Sequence, residues 1–127
     1  LESETLIIGN GDVRDLDDAR AKAKSTGADG VMLGRAVFGN PYLFSNSREW
    51  AIREDSLTRK RILEIMLEHT KLFEKLLGDI KNFAIMKKHY KAYVTGFDGA
   101  KELRMKLMGA ENAGAVEKIV SDYIENL

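Results

Sequence analysis

The sequence predicts an α/β segment followed by an all-α helical bundle. Three features point that way. Glycine is concentrated near the start, with Gly9, Gly11, Gly27, Gly30, Gly34 and Gly39 all before position 40. Two short apolar runs there, residues 5–8 and 31–33, flank a polar stretch of helical period. From Asp55 onward there is no proline, and apolar residues recur at helical spacing.

Each element follows in order. Thr5-Leu6-Ile7-Ile8 is a β-branched run that stops at Gly9-Asn10-Gly11-Asp12. Residues 15–25 read as a helix with Leu16, Ala19 and Ala23 on one face, and Arg14, Asp18, Lys22 and Lys24 away from it. Thr26-Gly27-Ala28-Asp29-Gly30 turns the chain into Val31-Met32-Leu33, which Gly34-Arg35-Ala36 closes. The apolar runs are continuous rather than alternating, as expected of strands buried on both faces of a parallel sheet. The unit is therefore a right-handed βαβ. Pro41 suits the first turn of a helix carrying Tyr42, Leu43, Phe44 and Trp50.

Four helices should follow. The first covers residues 57–77, with Ser56 as N-cap, Gly78 at its end, and a stripe of Ile62, Ile65, Met66, His69, Leu72, Phe73 and Leu76. The second covers 80–95, its apolar face formed by Phe83, Met86, Tyr90, Tyr93 and Val94. The third covers 100–108 and stops at Gly109. Asn112 caps the last, which carries Val116, Ile119, Val120, Tyr123 and Leu127 on one side. Short glycine-containing links make this a small bundle. The expected division is 1–54 and 55–127.

Two parallel strands and one helix cannot complete a core. A closed (β/α)₈ (TIM) barrel needs roughly 250 residues, so the first block matches the last two βα units of one. The expectation is a C-terminal part of a longer protein, lacking about six upstream βα units, the missing barrel half. Its exposed strand edges favour self-association. Composition excludes other classes. The 127 residues carry 20 basic and 20 acidic side chains, for a net charge of zero, and no cysteine. A disulfide scaffold and a cysteine nucleophile are thereby ruled out for this chain. No apolar run spans a membrane, and Leu1-Glu2-Ser3-Glu4 does not read as a secretory signal.

Two patterns could carry chemistry. Parallel neighbours bring Asn10-Gly11-Asp12 and Gly34-Arg35 to the same end of the sheet, where ligands bind. Backbone N–H groups there, a short helix beginning near Ala36 and the Arg35 guanidinium suit a phosphate dianion. The competing readings are an Asn-Gly hairpin and a plain helix N-terminal charge at Asp12. The second pattern is a run without acidic residues, 80–97, containing Lys81, Lys87, Lys88 and Lys91. On a helix, Lys81 and Lys88 fall opposite the apolar face with Lys91 nearby, a footprint that contacts nucleic-acid phosphates. A solvated helix face is the alternative. His69 falls on the apolar stripe and reads as a partly buried, hydrogen-bonded histidine. His89 reads as a surface or hydrogen-bonded one.

Taken together, Ile7-Ile8-Gly9-Asn10-Gly11-Asp12-Val13, the stretch from Thr26-Gly27-Ala28-Asp29-Gly30 to Gly34-Arg35-Ala36, Gly39-Asn40-Pro41-Tyr42-Leu43-Phe44, and Phe83-Ala84-Ile85-Met86-Lys87-Lys88-His89-Tyr90-Lys91-Ala92-Tyr93 resemble the C-terminal portion of tRNA-dihydrouridine synthases. That resemblance covers nearly the whole chain. It implies the end of an FMN-dependent TIM barrel followed by a helical tRNA-binding domain in a cytoplasmic enzyme. Such enzymes reduce uridine in tRNA to 5,6-dihydrouridine, with NADPH as hydride source. It further implies that Asn10, Gly11, Asp12, Gly34 and Arg35 hold the FMN phosphate and that Lys81, Lys87, Lys88 and Lys91 contact tRNA. The family's general-acid cysteine and its flavin-side lysine and histidine belong upstream, so this chain alone is expected to be inactive. The alternatives are a non-catalytic RNA-binding or interaction module, and a piece of another phosphate-binding barrel enzyme, such as a different FMN oxidoreductase.

Overall fold

A computed structural model describes residues 4–45 and 55–127. Trp50, expected on a helix after Pro41, lies outside the described residues. The chain divides into two compact units, Leu1–Ser47 and Arg48–Leu127.

In the first unit, β1 (Ile8–Gly9) leads to α1 (Leu16–Thr26) and β2 (Gly30–Val31). The strands pair in parallel, Ile8 with Gly30 and Gly9 with Val31, so the strand–helix–strand order is as expected. Asp15 starts α1 by accepting from the Asp18 N–H at 2.7 Å. Gly27, at φ 70°, ends it in the left-handed region open to glycine. Both strands are shorter than the apolar runs that contain them. Continuous runs predict strands covered on both faces, yet Leu6, Ile7, Ile8 and Met32 are exposed and no residue of α1 is buried. One helix cannot cover two faces of a sheet. After β2 the chain makes a 3₁₀ turn, Arg35–Val37. The helix expected after Pro41 is, in its described part, a 3₁₀ turn, Leu43–Ser45.

The second unit holds α2 (Ser56–Leu77), α3 (Met86–Tyr93), α4 (Ala100–Met108) and α5 (Ala113–Glu125). Asp55, not Ser56, caps α2: its carboxylate accepts from the Thr58 N–H at 2.8 Å and the Thr58 hydroxyl at 3.0 Å. The expected helix over 80–95 is shortened, because Asn82 accepts from the Ala84 N–H at 2.9 Å and caps a 3₁₀ turn, Phe83–Ile85, that leads directly into α3. Side-chain capping competes with helix continuation at such a residue. Asn112 caps α5 as expected, accepting from the Ala115 N–H at 2.8 Å.

The core joins Ile62, Leu63 and Met66 of α2 with Met86, Tyr90 and Tyr93 of α3, Leu103 and Leu107 of α4, and Val116 and Val120 of α5. The α2 stripe differs from its expected position. Leu72 and Leu76 are 53% and 61% exposed, whereas Leu63 and Thr70 are fully buried. Leu72 lies about 180° around the helix from Leu63, and α2 turns its Leu63 side to α5 and α3. Thr70 is tolerated inside because its hydroxyl donates to the Met66 carbonyl at 2.8 Å and shares a 3.1 Å hydrogen bond with the Tyr90 hydroxyl. Polar ties fix α2 against α5, among them a 3.2 Å hydrogen bond from the Arg59 guanidinium to the Tyr123 hydroxyl. Lys71 pairs with Glu117 at 2.6 Å, and the Glu74 carboxylate accepts from the Ala113 N–H at 2.7 Å.

Candidate functional site

The parallel register sends both post-strand turns to one end of the sheet. Asn10, Gly11, Asp12, Gly34 and Arg35 line a single cavity of ≈ 690 Å³, together with Val13, Arg14, Met32 and Ala36. All five residues expected at a phosphate site are thus brought together. Asp12 has a left-handed φ of 46°, following Gly11 at 146°. A Cβ added at Gly11 or Gly34 would meet nothing within 4 Å, so the backbone is bare to an approaching ligand. No side chain caps the 3₁₀ turn that Gly34 opens. The Arg35 guanidinium is ion-paired with the Asp12 carboxylate, and these side chains are 82% and 78% exposed. A cation paired with a surface carboxylate can exchange it for a dianion at small cost. The donor set therefore fits a phosphate.

Two further residues act on this site. Lys22, halfway along α1, donates from Nζ to the carbonyls of Gly11 and Asp12, each at 3.2 Å, and lies 3.2 Å from the Asp18 carboxylate. Asp18 also accepts from the Arg14 N–H at 2.9 Å and from its guanidinium at 3.4 Å. These bonds, the Arg14 N–H first and Lys22 after, hold the Asp18 carboxyl down to about 2. Sequence reasoning placed Asp18 and Lys22 merely off the apolar face. The one available signal was their i,i+4 spacing.

In the helical unit, Lys87, Lys88 and Lys91 share one side of α3, within an arc of about 100°. Lys87 is half-buried, whereas Lys88 and Lys91 are exposed. Lys81 is not on that helix. It sits in the turn after α2, its N–H donating to the Leu77 carbonyl at 2.7 Å. Its expected helical phase with Lys88 is therefore replaced by a position before the Asn82 cap.

His69 of α2 and His89 of α3 meet with ring centroids 4.9 Å apart. His69 is partly buried, as its position predicts, and its Nδ1 shares a 3.1 Å hydrogen bond with the Tyr93 hydroxyl. Burial lowers the pKa of both histidines, and for His89 the neighbouring His69 and Lys88 add to the effect. The unfolded chain then binds more protons than the folded one, so stability rises with pH. The helical unit should hold its full stability above about pH 6.5 and lose part of it as pH falls below that value. Urea midpoints at pH 7.5 and 5.5 measure this. A His69→Gln, His89→Gln double variant should flatten the difference, and an undiminished pH dependence would contradict the assignment.

No helix among the described residues is long and apolar enough to cross a membrane. Comparison with known proteins adds the relationship. The chain is similar to a probable tRNA-dihydrouridine synthase of Staphylococcus aureus, 34% identical over 120 residues, which is 94% of this chain and 35% of the relative. A probable tRNA-dihydrouridine synthase of Staphylococcus epidermidis is 33% identical over the same shares of each chain. The tRNA-dihydrouridine synthase B of Pectobacterium carotovorum is 31% identical over 124 residues, covering 95% of this chain and 39% of the relative. The chain spans little more than a third of the length of these curated relatives. The model of the dihydrouridine synthase family matches residues 2–127, essentially end to end, and the chain belongs to that family.

Proposed function

We propose that this chain is the C-terminal portion of an FMN-dependent tRNA-dihydrouridine synthase, a cytoplasmic enzyme that reduces uridine in tRNA to 5,6-dihydrouridine with NADPH. Residues 1–54 are read as the last two βα units of its TIM barrel and 55–127 as its tRNA-binding domain. The observation carrying this reading is the meeting of Asn10-Gly11-Asp12 and Gly34-Arg35 around one cavity, within a chain that the family model matches over residues 2–127.

The flavin supplies hydride transfer; this chain's residues bind and orient. Gly11 and Gly34 leave the backbone open to the FMN phosphate. Arg35, paired with the Asp12 carboxylate in this structure, would supply charge-assisted bonds to the dianion. Lys87, Lys88 and Lys91 of α3, and Lys81 of the turn after α2, attract the tRNA backbone. The exposed apolar side chains Leu6, Ile7, Ile8 and Met32 are the surfaces that an upstream barrel half would cover. The chain alone, without that half, is inactive, and its open strand edges favour self-association.

With NADPH and unmodified tRNA, the complete protein should form dihydrouridine. A Lys88→Glu, Lys91→Glu double variant should bind tRNA on the order of tenfold more weakly near 0.1 M salt and reduce the magnitude of the salt slope by about 2. Absence of dihydrouridine would overturn the activity, and an unchanged slope would remove the lysines from the RNA surface.

A further inference from the structure

We propose that Lys22, held by Asp18, is a positioning residue for the phosphate-binding turn: it presets the Asn10–Asp12 backbone before any ligand arrives. This rests on the reading of that turn as a phosphate site.

The geometry is direct. Lys22 Nζ donates to two successive carbonyls, Gly11 O and Asp12 O, both at 3.2 Å. In a planar trans peptide the N–H points opposite the C=O. Drawing these two carbonyls toward α1 therefore turns the N–H groups of Asp12 and Val13 away from Lys22. Both residues line the cavity. Two neighbouring N–H groups facing one way form an anion-binding concavity.

The turn needs such support. Gly11 has φ 146° and Asp12 has φ 46°. A non-glycine residue in the left-handed region persists only when its surroundings hold it there. Apart from Lys22, the pinning contact from α1 is Asp18, whose carboxylate accepts from the Arg14 N–H at 2.9 Å and sets the far end of the turn. Asp18 is only 10% exposed in its side chain, lies 3.2 Å from Lys22 Nζ, and fixes the ammonium between itself and the two carbonyls. One helix turn thus grips both ends of the loop, with Asp18 on the N–H side and Lys22 on the C=O side. An ordered binding loop loses less conformational freedom when the ligand binds.

The test uses the complete flavin-free protein, titrated with FMN and separately with riboflavin, which lacks the phosphate. Lys22→Met should raise the FMN dissociation constant by about tenfold while leaving riboflavin affinity within twofold. Lys22→Arg, which keeps a donor at the end of a long stem, should restore most of the loss. In the absence of flavin, NMR order parameters of the Gly11 and Asp12 amides should fall in Lys22→Met; a residue that only touches the bound phosphate would leave them unchanged. Equal FMN affinity in Lys22→Met and the wild type would overturn the proposal, as would equal weakening of both flavins or unchanged order parameters. Arg35→Ala separates the two readings. If it abolishes the preference for FMN over riboflavin while Lys22→Met does not, the phosphate site stands and the positioning role falls. If neither variant changes that preference, the phosphate site falls with it.

Discussion

Arg35→Ala in the complete protein should weaken FMN binding by roughly 10- to 100-fold, the range set by losing hydrogen bonds from a charged donor to a charged acceptor. The guanidinium's exposure places the effect toward the lower end at physiological salt, because water and ions screen it. Flavin should leave the variant on gel filtration where the wild type stays yellow. Arg35→Lys should recover little, since an ammonium cannot reproduce the planar fork. Retention of flavin by Arg35→Ala at the wild-type level would remove Arg35 from the site. Fold stability should hardly change, because the pair that Arg35 makes with Asp12 lies at the surface.

Leu63→Ala should have the largest effect on folding. Leu63 is fully buried, in the cluster where α2, α3, α4 and α5 meet. Truncating a buried leucine removes its transfer free energy and leaves a cavity, a loss of about 2–5 kcal/mol. In a unit of this size each kcal/mol lowers Tm by roughly 4–8 °C, so thermal unfolding of the helical unit should shift down by about 8 °C or more. Leu72→Ala on the same helix should stay within about 0.5 kcal/mol, since Leu72 is already half in water. Equal losses for the two variants would mean that α2 presents a different face.

Much of the fold was legible because its signals are local. Gly27 and Asn112 set helix ends through bonds within one turn of themselves, and such bonds follow from residue type. The strand–helix–strand order follows from where glycines interrupt apolar runs. Local competition also explains the misses. Asp55 outcompetes Ser56 as the cap of α2, and Asn82 caps a 3₁₀ turn that delays the start of α3 to Met86. Both choices rest on a single capping side chain, and periodicity cannot rank such caps.

The candidate site divides the same way. Asn10, Gly11, Asp12, Gly34 and Arg35 were recognisable from turn chemistry after two parallel strands. Lys22 was not, because its bonds to Gly11 and Asp12 depend on where α1 lies against the turn. The sequence alone determined the element order, most helix ends, the pair of glycine turns and the family resemblance, all of which depend on contacts within a few residues. Tertiary structure alone decided that Leu63 and Thr70 face inward while Leu72 faces out, that His69 meets His89, and that Lys22 bonds the Gly11 and Asp12 carbonyls. The reason is physical: a helix carries several partly apolar faces, and only the elements packed against it select which one leaves water.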